Sequence, residues 1–340
     1  MLLSELDYDL PEALIAQRPA EPRDSSRLMV VDAAEGTIEH RVFSDLPLFL
    51  CPGDALVLNE TKVLPARLRA RKPTGGEVEL LFLRDLGPER GNTWEALARP
   101  AKRLKPGGRL LIADEELDLV ENLGEGRWSV RAPNVPALLE EYGRMPLPPY
   151  IEATPEAEAR YQTVYAKEPG SAAAPTAGFH FTEGVLEGAR RAGAGITRVT
   201  LHVGTGTFLP VRTERLEDHA MHAERYSVPA EAARAVAGAR RVVAAGTTVA
   251  RTLETWAETG ERTGESRLFV YPGYSWRAVD ALITNFHLPR STLLAMVMSF
   301  GGMDLVREAY GVAVEEGYRF YSFGDAMLIL NGGRASGGAP

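Results

Sequence analysis

The pattern of hydrophobic and polar positions changes along this 340-residue chain, and its middle third is the most distinctive part. Between about 62 and 133, short apolar runs are separated by Gly, Pro, Asn or Asp at near-regular intervals, without a convincing helix among them. Such spacing is typical of a small all-β barrel. The predicted strands are GEVELLFLRDL, TWEALARP, GRLLIA, LDLVENL and RWSVRAP. Three prolines in RMPLPPYI, 144–151, predict the exit from this module.

Helices and strands alternate from about residue 183 onward. Helical spacing of apolar residues predicts helices in EGVLEGARRAGA, PAEAARAVAGARR, VARTLETWAE, STLLAMVMSFGG and MDLVREAYGVAVEE. Apolar runs predict strands in ITRVTLHV, VVAAG, SRLFVYPG, DALITNF and FYSFGDAMLIL. This alternation is typical of an α/β domain.

The two earliest apolar runs, RLMVVDA and ALVL, are predicted to be strands. No partner strand for them is predicted before the β-rich region begins, so their partners should lie after it. We therefore predict an α/β fold with a large α/β domain and an inserted small antiparallel β-barrel domain. The large domain is discontinuous, comprising residues 1–61 and 150–330, and the barrel comprises residues 62–149. The low-complexity tail NGGRASGGAP, 331–340, is predicted to be disordered.

Composition narrows the class of protein. Hydrophobic residues make up 45% of the chain and charged residues 25%, which excludes a disordered or fibrous class. No apolar run has the ~18 residues of a membrane span, and the start MLLSELDYDL is acidic where a signal peptide is basic. We expect a cytoplasmic protein. Cys51, the single cysteine, excludes an internal disulfide and a cysteine-based zinc site, and is expected to be a small buried hydrophobe.

Charge is unevenly distributed although the net value is −8. Residues 62–131 hold fourteen Lys and Arg against eleven Asp and Glu, so the rest of the chain carries −11. Alternation along a strand places the arginines of ARLRARK on one face. Such a run is often a solvated face, but in the one basic module it also favours contact with nucleic-acid phosphates. The expected phosphate-binding residues are Arg67, Arg69, Arg71, Lys102, Arg103 and Lys105.

Five of the six histidines lie between 180 and 287, which raises the question of a metal site. His219 and His222 are suitably spaced, with Asp218 and Glu224 beside them. They match no H-E-x-x-H signature, and hydrogen bonds to loops are the alternative for each histidine. The alternative function is therefore a metal-dependent hydrolase that uses His180, His202, His219 and His222.

Two further segments suggest ligand contacts. VTLHVGTGTFLPV runs from a strand into Gly204 and Gly206, as in nucleotide folds, but an extended segment follows where a helix is needed, so a plain tight turn is equally expected. Eleven of the 26 aromatic residues lie between Phe269 and Phe323. Most should be core, but some in YPGYSW flank a turn, where an exposed ring can stack on a base or face a cation.

Ten long and irregular segments follow one another along residues 1–330. In order they are LDYDLPEALIAQRPAEPRDSSRLMVV, LNETKVLPARL, GRMPLPPYI, YQTVYAKEPGSAAAPTAGFHFT, VTLHVGTGTFLPV, DHAMHAERYSVP, AAGTTVARTLET, YPGYSW, DALITNFHLPRSTLLAMV and YRFYSFGDAMLIL. In this order they resemble the S-adenosylmethionine:tRNA ribosyltransferase-isomerase family of the queuosine pathway. Two departures from the family pattern are small: Phe179 stands where Leu is usual, and LLAMVMSFGG is a variant of the usual helix.

The resemblance implies an enzyme that acts on a tRNA anticodon loop carrying 7-aminomethyl-7-deazaguanine. It implies that the ribosyl part of S-adenosylmethionine is transferred to the aminomethyl nitrogen and rearranged, which gives epoxyqueuosine and releases adenine and methionine. The resemblance also implies a monomer without a metal, and an α/β domain with an inserted β-barrel. A non-enzymatic RNA-binding module and an S-adenosylmethionine methyltransferase are the rival classes.

This chemistry requires a general base, because the sulfonium acidifies the ribose C5′ hydrogens and the amine must be neutral to attack. Histidine titrates in the right range, so we expect His180 to take the proton, or failing it His202 or His287. The small residues before His180 would let the backbone lie close to a flat nucleotide. A packed turn is the alternative for that run.

Polar residues near predicted strand ends are candidates for the remaining contacts. Arg251 can bind the methionine carboxylate with its two-pronged guanidinium. An ion pair between Arg251 and Glu254 along a helix is the structural alternative. We expect eight residues to bind S-adenosylmethionine, namely Gly204, Gly206, Arg251, Thr252, Glu254, Tyr271, Tyr274 and Asn285. We expect Asp24, Arg27 and Asn59 to recognise the modified base by hydrogen bonds to its edges.

Overall fold

The computed structural model describes residues 1–204 and 213–333. Its strands are β1 (Arg27–Asp32), β2 (Thr37–Val42), β3 (Asp54–Asn59), β4 (Thr61–Val63), β5 (Arg67–Arg71), β6 (Glu77–Asp85), β7 (Thr93–Arg99), β8 (Arg109–Ile112), β9 (Glu115–Gly124), β10 (Arg127–Arg131), β11 (Glu168–Ser171), β12 (Gly195–Leu201), β13 (Glu224–Ser227), β14 (Arg241–Ala245), β15 (Thr263–Ser266), β16 (Ala281–Asn285) and β17 (Ala326–Leu330). Its α-helices are α1 (Val135–Tyr142), α2 (Pro155–Arg160), α3 (Glu183–Arg191), α4 (Ala230–Ala237), α5 (Thr247–Thr259), α6 (Thr292–Gly301) and α7 (Met303–Glu315).

The larger domain is built on a nine-stranded sheet in the order β15-β13-β12-β3-β14-β16-β17-β1-β2. Strands β12, β3, β14 and β16 are parallel neighbours, and β17 runs antiparallel to β16. All six residues of β3 are buried, as expected for a parallel strand covered on both faces. Because β12, β3, β14 and β16 run in the same direction, their carboxyl ends lie together along one edge of the sheet. Open α/β folds bind ligands at this edge.

The period of two along each strand divides the interior into two cores. Met29 and Val31 face a core that includes residues of α4, α5, α6 and α7. Leu28 and Val30 face the opposite core, which includes residues of α3 and of the 3-10 helix Phe43–Phe49. The sheet is thus covered on both faces by helical elements.

The barrel consists of six antiparallel strands in the order β10-β7-β6-β5-β8-β9, closed by pairing of β9 with β10. Leu68 and Ala70 of β5 fill the interior, whereas Arg69 and Arg71 on the other face are exposed. The predicted fold class is confirmed, because a closed antiparallel barrel lies in the chain between β3 and β12 of the α/β sheet. The exact domain boundaries stay a prediction.

The first strand, β1, has a partner before the barrel begins, contrary to the prediction. β1 pairs with β2 along its whole length, from Arg27 opposite Val42 to Asp32 opposite Thr37. β2 has five exposed residues out of six, so its sequence lacked the hydrophobic signal of a strand. For β3 the prediction is correct, because its partners β12 and β14 both follow the barrel in the chain.

Other local predictions differ from the structure. Of the predicted strand SRLFVYPG only Ser266 belongs to a strand, and in FYSFGDAMLIL the strand covers only Ala326–Leu330. Cys51 is exposed, because it lies just before the turn that leads into β3. At the start of the predicted disordered tail, the Asn331 amide bonds both carboxylate oxygens of Asp32 at 3.0 and 2.9 Å. Residues 334–340 lie outside the described residues.

Candidate active site

A cleft with two adjoining chambers opens at the carboxyl ends of β14 and β16. The first, which we call the alanine chamber, encloses about 710 Å³ including its open mouth, and its walls include Ala173, Ala174, Thr176, Asn285, His287 and Tyr321. The second, which we call the ion-pair chamber, encloses about 580 Å³, and its walls include His219, His222, Glu224, Arg251, Phe269 and Met296. Thr247, Thr248 and Leu293 line both chambers, so they form the boundary between them.

The run of small residues forms one wall of the alanine chamber. Residues 173–177 all line it, and their small side chains leave the space open. Gly178, which follows, is needed for packing, since a Cβ there would lie 2.3 Å from the Tyr165 hydroxyl. The run therefore has two roles, because its alanines shape the chamber and its glycine allows the turn to pack.

Two helices begin at the cleft. Gly246, with a φ of +107°, joins β14 to α5, and Thr247 and Thr248 in the first turn line both chambers. Ser291 caps α6 by accepting a hydrogen bond from the Leu294 amide at 3.1 Å. The first turn of a helix has unpaired N–H groups and a positive dipole end. The boundary of the two chambers is therefore a favourable place for an anionic group.

His180 lies behind the wall of the cleft, 3% exposed. The Asn285 amide nitrogen is 3.0 Å from the Tyr321 carbonyl and 3.1 Å from His180 Nε2, while the amide oxygen accepts from the Thr176 hydroxyl at 3.2 Å. This orientation makes Nε2 an acceptor, so Nδ1 carries the proton and donates to Ser26 Oγ at 2.8 Å. Burial lowers the pKa of His180 to about 4, which keeps the imidazole neutral. The ring contacts Asn285, and Asn285 lines the chamber.

His287 does line the alanine chamber. Its Nε2 is 2.7 Å from the Thr284 hydroxyl, and its main-chain N–H donates to the Tyr310 hydroxyl at 3.0 Å. Burial lowers the pKa of this imidazole to about 3. His287 is thus a neutral imidazole held in a fixed orientation at the cleft, and its lowered pKa, contrary to the expectation that a histidine here titrates near neutrality, makes it a weaker base than a free imidazole.

Arg251 forms a buried ion pair with Glu224 in the ion-pair chamber. The other Glu224 oxygen accepts from the Gly204 amide at 2.7 Å, which ties the end of β12 to β13. Burial lowers the pKa of Arg251 to about 10, so the guanidinium remains charged at neutral pH. The alternative pairing of Arg251 with Glu254 was wrong, because Glu254 faces a different part of the fold.

Glu254 is fully buried and holds the loop after β15. Its carboxylate accepts from the main-chain N–H groups of Arg277, Ala278 and Val279 at 2.8 to 3.1 Å, and from the Tyr274 hydroxyl at 3.1 Å. Burial raises the pKa of Glu254. Four donors occupy this carboxylate, so the geometry gives Glu254 and Tyr274 a structural role.

Several other predicted contact residues are engaged inside the protein. Asn59 is 0% exposed and donates to the Leu201 carbonyl at 3.0 Å and to the Thr248 hydroxyl at 3.2 Å, so it holds a residue of the chamber boundary. Thr252 is also 0% exposed, and its hydroxyl bonds the Thr248 carbonyl at 2.8 Å. His202 Nδ1 is 2.9 Å from the Thr61 hydroxyl, and burial lowers its pKa.

Of the remaining predicted contact residues for the base and for S-adenosylmethionine, Asp24, Arg27 and Tyr271 are not among the described residues that line the two chambers. Asp24 accepts from the Thr182 hydroxyl at 2.8 Å. The Arg27 guanidinium lies 3.6 Å from the centre of the Tyr318 ring, next to the end of α7. Tyr271 is half-buried beside Phe269, with ring centres 5.1 Å apart. Gly206 lies outside the described residues.

The described residues do not favour the metal alternative. Among residues 1–204 and 213–333, no group of three or more His, Cys, Asp or Glu is placed to hold a metal ion. His219 and His222 line the ion-pair chamber, whereas His180 is hydrogen-bonded to Ser26 and His202 to Thr61. Within the same part of the chain, no helix is long and apolar enough to cross a membrane.

The basic residues expected to bind phosphates lie on the outer face of the barrel or in its loops. Arg67 is near Glu79 at 3.8 Å and Arg71 near Glu77 at 3.5 Å, and both pairs involve partly or fully exposed side chains. The other expected phosphate-binding residues are exposed, namely Arg69, Lys102, Arg103 and Lys105.

Thr247, Thr248 and the Tyr150–Tyr321 pair line the cleft but were not among the predicted site residues; the two tyrosine rings stack 4.5 Å apart in the wall of the alanine chamber. A signal for the two threonines was present, because AAGTTVAR places a glycine between a strand and a helix. No local signal indicates that Tyr150 and Tyr321 meet, since they are distant in the chain.

Comparisons with known proteins agree across the chain. The family model described as "Queuosine biosynthesis protein" matches residues 3–329. The S-adenosylmethionine:tRNA ribosyltransferase-isomerase of Rubrobacter xylanophilus is 71% identical over 98% of this chain and 99% of that protein. The enzyme of the same name from Moorella thermoacetica is 51% identical over 97% and 100%. The crystal structure of S-adenosylmethionine tRNA ribosyltransferase from Thermotoga maritima matches with a TM-score of 0.57 and 40% identity, over 96% of this chain and 100% of that one.

Proposed function

The chain belongs to the queuosine biosynthesis protein family, and on this premise we propose that it transfers and isomerises the ribosyl moiety of S-adenosylmethionine onto tRNA. The acceptor is 7-aminomethyl-7-deazaguanine in the anticodon loop, and the products are epoxyqueuosine in tRNA, adenine and methionine. The structural observation that supports this two-substrate reaction is the pair of chambers that share a wall at Thr247 and Thr248.

The ion-pair chamber binds the amino-acid end of S-adenosylmethionine. Arg251 and the first turns of α5 and α6 offer positive charge to the carboxylate, and Glu224 offers negative charge to the ammonium group. Met296 and Phe269 provide apolar walls for the carbon chain, and the ring of Phe269 can face the sulfonium. With the amino-acid end bound in this way, we expect the ribose C5′ to lie near the boundary of the chambers.

The alanine chamber receives the modified base. Its alanines admit a flat ring, and the stacked Tyr150 and Tyr321 offer an aromatic surface for a base that is turned out of the anticodon loop. The hydroxyls of Thr176 and Ser322 lie in the same walls and can bond the edge of the base. The aminomethyl group then points to the boundary, where the ribose arrives.

His287 is the residue that accepts the proton in this proposal. Its place in the wall of the alanine chamber and its orientation by Thr284 support this role, whereas burial keeps the ring neutral but weakens it as a base. His180 acts as a positioning residue, because its contact to the cleft runs through the Asn285 amide. The barrel residues Arg67, Arg69, Arg71, Lys102, Arg103 and Lys105 contribute phosphate contacts, and we propose that the enzyme acts as a cytoplasmic monomer without a metal.

Product analysis tests the function directly. The purified protein is mixed with S-adenosylmethionine and tRNA that carries the aminomethyl base, with unmodified tRNA as the control. We expect adenine and methionine in equal amounts only with the modified tRNA. S-adenosylhomocysteine as the product would indicate a methyltransferase, and tRNA binding without adenine release would indicate a binding module; either result would overturn the proposal.

A further inference from the structure

An open groove lies between the barrel and the edge of the large sheet, outside the cleft. Arginines from both domains line it: Arg84, Arg90 and Arg127 from the barrel, and Arg225 from β13. Its space, including the open mouth, is about 960 Å³. We call it the interdomain groove. None of its arginines was singled out in the sequence analysis as a contact residue.

The groove exposes guanidinium groups above a buried carboxylate. Glu95, 5% exposed, bonds Arg84 at 2.8 Å and Arg127 at 3.3 Å, so one negative charge holds two positive ones in place. The Arg84 and Arg127 side chains remain 46% and 42% exposed. Glu95 therefore fixes these two arginines from below and leaves their outer N–H groups available to an anion.

Besides the buried Glu95, four carboxylates of the described residues lie in or beside the groove: Asp85 is exposed in its wall, and three others at its rim form exposed pairs with its arginines. Glu265 is 3.3 Å from Arg84, Glu121 is 3.8 Å from Arg90, and Glu125 is 3.9 Å from Arg127. These side chains are 44%, 60% and 78% exposed. Exposed pairs contribute at most about 1 kcal/mol, so a chain of phosphates can replace the rim carboxylates as partner of the arginines.

The interdomain groove and the cleft are lined by neighbouring residues of the same strand, β13. Arg225 directly follows Glu224, which lines the ion-pair chamber, and consecutive residues of a strand point to opposite faces. His202, whose main-chain N–H bonds the Arg225 carbonyl at 2.9 Å, directly precedes Val203 of the alanine chamber. The ends of β12 and β13 thus separate the groove from both chambers by the thickness of one strand.

We propose that the interdomain groove binds the phosphate backbone of the tRNA anticodon arm beside the nucleotide that enters the cleft. The inference rests on the proposed function, because it takes tRNA as the partner. Exposed arginines from two domains in one open groove offer several separate contacts, which fits a continuous polyanion better than a small ligand. The groove is distinct from the basic face formed by Arg67, Arg69 and Arg71.

The test measures tRNA binding as a function of salt. Arg225→Gln and Arg90→Gln each remove one charge from the groove, and Arg41→Gln is the matched control, because Arg41 is an exposed, glutamate-paired arginine on β2, the opposite edge strand. Each groove variant should weaken binding of unmodified tRNA about 3- to 10-fold at 50 mM salt and lower the slope of log K against log salt by about 1.

At saturating tRNA and S-adenosylmethionine, both groove variants should keep the kcat of the wild type, because the chamber walls are unchanged. Affinity and salt slope equal to those of Arg41→Gln would overturn the inference. The binding measurement does not require turnover. Wild-type protein that binds tRNA through the groove but releases no adenine would therefore count against the proposed function alone, and adenine release without any groove effect would count against this inference alone.

Discussion

The side-chain amide of Asn285 donates a hydrogen bond to Nε2 of His180 at 3.1 Å, from the wall of the alanine chamber to a buried ring behind it. The ring is held in turn by Ser26 and by the face of Phe43, 5.0 Å away between centres. A buried imidazole thus sets the direction of an amide that lines the cleft.

Replacement of His287 tests the proposed proton acceptor. His287→Gln should lower kcat about 10²- to 10⁴-fold, the usual contribution of a general base, while the affinity for S-adenosylmethionine changes little. His40→Gln is the control, because His40 bonds the Tyr318 hydroxyl at 2.7 Å away from the cleft. Single-turnover adenine release and equilibrium binding measure the two quantities. A kcat within twofold of the wild type would remove His287 as the base.

Acid should destabilise the protein through its buried neutral histidines. The folded state lowers the pKa of His180 to about 4 and that of His287 to about 3, both from 6.5, so the unfolded chain binds more protons below pH 6.5. Their stabilisation is complete above pH 6.5 and is lost as the pH falls towards these values, by about 2 kcal/mol per histidine at pH 5.

Urea unfolding at pH 7 and pH 5 measures this loss, and His287→Gln, which cannot titrate, should show a smaller difference between the two conditions than the wild type. Imidazole NMR signals provide a second readout. Equal stability at both pH values, or ring signals of His180 and His287 that titrate near 6.5, would contradict the assignment of buried neutral rings.

Variants of Arg251 and Glu224 can distinguish a role in S-adenosylmethionine binding from a role in the stability of the folded protein. Arg251→Gln leaves the Glu224 carboxylate buried without its guanidinium, so we expect the free energy of unfolding to fall by about 3–5 kcal/mol. The affinity for S-adenosylmethionine should fall roughly 10- to 100-fold, the value of a hydrogen bond to a charged group. The double variant Arg251→Gln, Glu224→Gln should recover stability but not affinity. Recovery of both would show that Arg251 is only structural.

The packing role of Gly178 can be measured in a double-mutant cycle. Gly178→Ala places a Cβ 2.3 Å from the Tyr165 hydroxyl and 2.7 Å from Thr163 Cγ2, so it should destabilise the protein by about 1–3 kcal/mol. Tyr165→Phe alone should be nearly neutral, because that buried hydroxyl has no hydrogen-bond partner among the described residues. The double variant should be more stable than Gly178→Ala, as measured by urea unfolding; strict additivity would contradict this account.

The fold class and the family could be predicted from the amino-acid sequence, because alternating strand and helix periods and long irregular motifs are properties of neighbouring residues. The sequence also indicated Arg251, Asn285 and His287, which follow or lie near predicted strand ends and line the cleft. The same criterion selected Thr252 and Glu254, which face the interior, since a strand-end position does not specify the direction of a side chain.

Which polar groups come into contact could be learned only from the folded chain. Glu224 pairs with Arg251, and Glu254 binds a loop, although in sequence Glu254 is the nearer carboxylate to Arg251. His180 and Asn285 are brought together from positions 105 residues apart, and the interdomain groove joins β6 and β10 to β13. Contacts of this kind depend on how strands are ordered and registered in a sheet, which long-range packing sets and a local pattern does not encode.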